Sequence, residues 1–328
     1  MKIKNKLLIF LTILSVIIPL PALAYSNKVV LGGENVGIEL EPDGIIIVGF
    51  YQIKNKNINK SNNIKIGDKI IRVENQDVNS IDEMINKIEK SIKNNQVNLT
   101  LMRNNKKINT TLQIEIDENG VYKTGLYVKD KITGIGTITY IDPATSVYGA
   151  LGHEIVESYS NTKVEIKNGK IFSSSITGIN KSTGNKIGEK VAKLDDNVIY
   201  GNISKNTESG IYGTYHALFN DKELIEVGKS DDIKEGEAYI YTVLEGNTKE
   251  KFKINIISID QNAKTKNILF EISDKKLINK TNGVIKGMSG SPIVQNGKLI
   301  GAVTHAIQTK NNMGYGIFIT TMLEEGDS

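Results

Sequence analysis

The 328-residue chain has no cysteine and no tryptophan, and it has only five prolines and three histidines. Without cysteine it forms no disulfide, offers no thiolate to a metal and has no cysteine nucleophile. Exported proteins can lack disulfides, so this absence does not decide the compartment. Any chemistry that needs an imidazole must draw on His153, His216 or His305. A strong charge of one sign is missing too. The formal net charge is +4, but Lys2, Lys4 and Lys6 lie in residues 1–24, which hold no acidic residue. The remainder is close to neutral and gives no electrostatic reason to expect a nucleic-acid partner. No cluster of metal ligands, phosphate-binding loop or nucleotide fingerprint stands out, and the Gly-x-Gly at Gly134 and Gly136 is too sparse to count as one. No cofactor and no metal are therefore expected.

Apolar residues at 39% and charged residues at 24% are ordinary for a globular protein, and the length leaves room for two domains. The N-terminus reads as an export signal. Three lysines precede an apolar run from Leu7 to Ile18, and Pro21-Ala22-Leu23-Ala24 follows as an A-x-A-like site. The run falls short of the roughly 20 residues of a comfortable membrane span. Residues 1–24 are thus expected to be a signal peptide or a membrane anchor, with export across the cytoplasmic membrane, and residues 25–32 a polar linker.

Residues 33–116 read as one small α+β domain. Val36 to Leu40 alternates as a strand, and Gly44 opens the buried run Ile45 to Val48. Ser80 with Glu83 three residues on is a capping box. Behind it Ile81, Met84, Ile85, Ile88 and Ile92 recur at helical spacing. Val97, Leu99 and Leu101, the turn Asn104-Asn105, and Ile108 to Ile114 predict a hairpin. With "GDKIIRVENQDV" ahead of the helix, this domain resembles a PDZ domain. The resemblance implies capture of an extended peptide beside the helix, or self-association.

From residue 117 to 328 helical periodicity largely disappears and short alternating strands recur between Gly, Asn and Asp turns, which predicts a sandwich or a pair of barrels. The chemistry is expected in Gly287-Met288-Ser289-Gly290-Ser291-Pro292. A serine between glycines, just before a strand, is exposed on a tight turn. The N–H groups of Gly287 and Ser289 can then converge beside its hydroxyl as an oxyanion hole. His153, in Gly149-Ala150-Leu151-Gly152-His153-Glu154, ends an apolar strand and enters a polar loop, which suits a general base. His216 reads as structural. His305, after Thr304 on the strand beyond the serine, is a candidate for the substrate pocket.

"GALGH" at 149–153, "GIYGT" at 210–214, "GMSGSP" at 287–292 and "GAVTH" at 301–305, in this order after a PDZ-like domain, resemble the SpoIVB peptidase family. The resemblance implies a mainly β architecture in which a PDZ domain precedes a chymotrypsin-related double β-barrel serine peptidase domain. It implies His153 as base, Ser289 as nucleophile and Asp274 as the orienting acid, with Thr304 and His305 at the substrate pocket. It further implies limited proteolysis during sporulation, in which the enzyme cleaves itself and a membrane-bound regulator in the space between forespore and mother cell, so that a sigma factor is processed. Asp274 precedes Ser289 by only 15 residues, whereas a double-barrel protease takes its acid from the first barrel; a turn residue capping the next short stretch is the other reading. Met288 stands where digestive proteases have an aspartate, so the familiar activating ion pair cannot form. Two other functions fit the same residues: a non-catalytic PDZ binding protein with a degenerate protease body, and a housekeeping protease for misfolded exported proteins.

Overall fold

The computed structural model describes residues 25–59, 62–184, 186–219 and 222–328, so the expected export segment lies outside the described residues. The first strands are β1 (Lys28–Leu31) and β2 (Asn35–Pro42). A small unit follows: β3 (Ile45–Phe50), β4 (Lys69–Val73), β5 (Gln76–Asp77), helix α1 (Ile81–Ser91), β6 (Gln96–Arg103), β7 (Lys106–Gln113), β8 (Glu115–Ile116), β9 (Tyr122–Lys123) and β10 (Leu126–Lys129). Next come β11 (Ile132–Ile141), β12 (Val147–Ala150), β13 (Val156–Glu157), β14 (Thr162–Lys163), β15 (Ile166–Asn180), β16 (Glu189–Asn202), β17 (Lys205–Thr207), β18 (Gly210–Thr214) and β19 (Leu224–Val227). The chain ends with β20 (Gly236–Val243), β21 (Lys249–Ile259), β22 (Ile268–Ile272), helix α2 (Lys275–Thr281), β23 (Pro292–Gln295), β24 (Lys298–Ala306), β25 (Met313–Phe318) and helix α3 (Ile319–Asp327).

Two closed rings of strands result. In the first, β2, β11, β12 and β18 pair in turn, the Gly201–Tyr215 bridge reaches β16, and β15 returns to β2. In the second, β24, β23, β20, β21, β22 and β25 pair in turn and β25 closes on β24. Strand β1 pairs with β11 and β19, and β19 runs parallel to β24, which fuses the barrels into one sheet. The period of two drives this. On β21, Phe252, Ile254 and Ile256 face the core while Lys251, Lys253 and Asn255 face out. Each such fully buried apolar side chain contributes about 1.5–3 kcal/mol. The mainly β double-barrel architecture with a PDZ-like α+β unit is therefore as expected.

The domain boundaries are not. Residues 25–32 are no linker: Val29, Val30 and Leu31 are buried, and β1 is the strand joining both barrels. Nor does β2 belong to the small unit. Its residues Asn35 to Leu40 pair with Thr137 to Ile132 of β11, and its other edge pairs with β15. The small unit's sheet is instead ordered β10-β3-β4-β6-β7, with β10 drawn from beyond the expected boundary at 116. The small unit is thus inserted between two adjacent strands of the first barrel. Alternation marked Val36 to Leu40 as a strand but could not tell which sheet would hold it.

Within the unit the helix cap and the hairpin form as expected. Ser80 Oγ caps α1 by accepting from Glu83 N–H at 3.2 Å, and Met84 and Ile88 fill the core. Ile85, expected on the same face, is exposed. Asn104 and Asn105, both left-handed, turn the β6–β7 hairpin.

Candidate functional site

The turn carrying Ser289 is held through the carbonyls of Gly287, Ser289 and Gly290 and through the N–H groups of Met288 and Gly290, which leaves the N–H groups of Gly287 and Ser289 open. Thr137 of β11 donates its N–H to the Ser289 carbonyl (3.0 Å) and its hydroxyl to the Gly287 carbonyl (2.9 Å). Thr139 Oγ1 donates to the Gly290 carbonyl at 2.8 Å. Gly287 and Gly290 have φ of +91° and +89°, values that favour glycine. A Cβ on Gly290 would lie 2.0 Å from the Thr137 carbonyl oxygen. Met288 is fully buried in the second-barrel core, so an apolar plug fixes the turn where an ion pair cannot. The N–H groups of Gly287 and Ser289 have no acceptor among the described residues.

Ser289 Oγ donates to the Thr304 carbonyl at 2.9 Å. His153 enters the same cleft after two left-handed residues, Leu151 and Gly152, which swing the chain off the end of β12. Its Nδ1 lies 2.8 Å from the Glu154 carbonyl oxygen. A carbonyl only accepts, so Nδ1 carries the proton and Nε2 keeps its lone pair, the tautomer a base requires. Burial lowers the His153 pKa below the ordinary imidazole value. The His305 ring packs 5.2 Å from that of His153, centroid to centroid. Burial, then the charges of His153 and Lys266, push His305 down to about 4.

These groups line an open cleft of about 700 Å³ between the barrels. One wall is apolar, from Ile132 and Ile135 of β11 with Leu151 and Ile155; Glu208, Lys266 and Lys286 add charge to the rim. A hydroxyl, a neutral imidazole and two unpartnered N–H groups in one cleft are what acyl transfer needs. Among the described residues no group of three His, Asp or Glu side chains comes together as a metal site, and no helix is long and apolar enough to cross a membrane.

Two expected positions fall elsewhere. Asp274 caps helix α2: its Oδ1 accepts from Leu277 N–H at 3.0 Å, and it does not line the cleft. The structure does not bring it to His153, whose Nδ1 is engaged by the Glu154 carbonyl. An aspartate ahead of a helical turn satisfies otherwise orphaned N–H groups, which explains its placement. Thr304 is buried with its hydroxyl on the Tyr315 carbonyl, so it gives the site a carbonyl oxygen rather than a pocket wall. His216 is exposed and lies apart from the cleft. Conversely, Glu208, Lys266 and Lys286 were not foreseen, since the folding that gathers them leaves no local pattern.

A model of the SpoIVB peptidase S55 family matches residues 120–323, and a PDZ domain model matches residues 35–114. The PDZ match thus includes β2, which here pairs into the barrel. Among solved structures the chain is similar to the active form of the Rv3671c protease from M. tuberculosis, at 12% identity over 57% of this chain and 70% of that one, with a TM-score of 0.33. It is also similar to the HtrA-type protease AlgW with a decapeptide, at 14% identity over 61% and 53% of the two chains, with a TM-score of 0.33. The PDZ domain of an SdrC-like protein from Listeria monocytogenes aligns at 18% identity over 27% of this chain and 90% of that one, with a TM-score of 0.23. No curated protein matches. With the family's model spanning more than half of its length, the chain belongs to the SpoIVB peptidase S55 family and is a serine peptidase.

Proposed function

We propose that Ser289 is the nucleophile, His153 the general base and the N–H groups of Gly287 and Ser289 the oxyanion hole of an endopeptidase that performs limited proteolysis. The observation that carries this reading is the meeting of Ser289, a correctly protonated His153 and two unpartnered N–H groups in one cleft. Ser289 Oγ leaves the Thr304 carbonyl, passes its proton to His153 Nε2 and bonds to the scissile carbonyl carbon. The carbonyl oxygen takes the electron pair and is held by the two N–H groups. His153 then returns the proton to the leaving amine, and water hydrolyses the acyl-enzyme by the same route. The Glu154 carbonyl orients the imidazole, and His305 walls the cleft beside it.

The family supports a role in sporulation. We infer that residues 1–24 direct export, that the enzyme works at or near a membrane between forespore and mother cell, and that it cleaves itself and a membrane-bound regulator of sigma-factor processing. The PDZ unit binds a peptide segment of a substrate or of a second copy. Purified chain incubated alone should yield discrete fragments by mass spectrometry that Ser289→Ala and His153→Ala do not, and should leave unfolded casein largely intact. Fragments from the Ser289→Ala chain would defeat the nucleophile assignment. Broad casein digestion would favour a housekeeping protease instead.

A further inference from the structure

Strand β16 turns most of its side chains to solvent, and Lys190 is the exception, with 3% of its surface exposed. Its Nζ donates to Thr242 Oγ1 of β20, 2.8 Å away inside the second barrel. No carboxylate among the described residues pairs with it, and burial alone pushes it down to about 7. A buried amine with one hydroxyl for company is an expensive residue to keep, and the mechanism above makes no use of it.

Its surroundings supply a reason. The aliphatic stem lies against Gly287: a Cβ built there would stand 3.0 Å from Lys190 Cδ and 3.2 Å from Lys190 Cβ. The Lys190 N–H donates to the Lys286 carbonyl at 3.0 Å, and the Lys286 N–H donates to the Gly188 carbonyl at 2.9 Å. From the opposite side Thr137 Oγ1 holds the Gly287 carbonyl. The peptide that aims the Gly287 N–H is therefore gripped between β11 and β16. With Met288 before the nucleophile, no ion pair does this work.

We propose that Lys190 is a positioning residue of the oxyanion hole. Its stem and backbone N–H hold Gly287 in the left-handed conformation that points its N–H into the cleft, and the Nζ–Thr242 bond anchors that support to the second barrel. The proposal rests on the reading of Ser289 as nucleophile.

The test uses the full chain, a fluorogenic peptide copied from a mapped self-cleavage site, and the peptide aldehyde of the same sequence, whose hemiacetal oxygen occupies the oxyanion hole. Lys190→Ala should lower kcat by up to about 10²-fold, the lower end of what losing an oxyanion donor outright costs. KM should stay within about twofold, with aldehyde affinity falling in step with kcat. Lys190→Met, which keeps the stem, should restore kcat to within about threefold of wild type. Wild-type kcat in Lys190→Ala, or a raised KM at unchanged kcat, would overturn the proposal. If Lys190→Ala does not fold, Thr242→Val serves: it should lower kcat at constant KM in the wild-type background and have no further effect on Lys190→Met. Additive losses there would also overturn it. Cleavage of the peptide by Ser289→Ala would instead refute the nucleophile assignment, a result no Lys190 variant can give.

Discussion

The Ser289 hydroxyl donates its hydrogen bond to the Thr304 carbonyl oxygen, 2.9 Å away, rather than to His153. Both residues lie at the cleft, yet the nucleophile rests on the backbone of the strand that follows it. Breaking such a bond costs about 0.5–1.5 kcal/mol net, a small part of any barrier to engaging the base.

The acid limb of activity should lie low. Burial disfavours the imidazolium of His153, so its neutral, proton-accepting form persists below the ordinary value of 6.5. Activity is then complete near neutrality and lost as pH falls through that lowered pKa. A pH profile of kcat/KM on a short peptide should have its acidic midpoint below 6.5; a midpoint above 7 would identify a different titrating group.

Asp274 should matter for stability more than for turnover. Asp274→Ala removes the cap of α2 and should cost about 1 kcal/mol, seen in the midpoint of urea unfolding. Its kcat should stay within about tenfold of wild type, where loss of an orienting triad aspartate costs about 10⁴. Asp274→Asn keeps a capping oxygen and should match wild type in both measurements.

His305 should make the fold acid-sensitive. With its pKa near 4 in the folded chain against 6.5 ordinarily, the unfolded chain binds a proton that the folded chain refuses between those values. Stability contributed by the neutral ring is full above about 6.5 and declines as pH falls toward 4. Urea midpoints at pH 7.5 and pH 5 should differ less in His305→Phe than in wild type, and an unchanged difference would dissociate His305 from the effect.

Lys190 should cost stability at neutral pH. The folded chain holds the amine near 7 while the unfolded chain keeps it near 10.5, so the unfolded state is favoured by protonation across that window. Lys190→Met should therefore raise the melting temperature at pH 8, with the gain shrinking as pH rises toward 10.5. A gain that does not change with pH would place the cause in packing alone.

The sequence carried the motifs well and the connections between them poorly. Ser289, Gly287 and His153 were legible because a glycine-flanked turn and a strand end each write a local signature. The strands were legible from period-two runs such as Phe252-Lys253-Ile254, but periodicity left sandwich and barrels open, and only the family resemblance pointed to barrels. Lys190 gave no signal, since one lysine among the chain's many cannot show that its strand turns it inward. The cap at Asp274 was visible as an aspartate before a short helical stretch, but nothing local separated that use from a catalytic one. The pairing of Leu40 with Ile132 was hidden because a whole folded unit lies between them in the chain.

That last pairing bears on the order in which the molecule folds. The small unit has its own apolar core, and its first and last strands already lie side by side, with Ile46 opposite Lys129. Once folded, it hands β2 and β11 to the barrel as the two arms of a ready-made hairpin. If it is unfolded, the same two arms must meet across a long floppy loop, and the entropy of closing that loop slows every later contact in the barrel. A substitution in the PDZ-like core, such as Met84→Asp, would then delay maturation of a cleft it never touches, making the inserted unit a folding template for the peptidase as well as a domain in its own right.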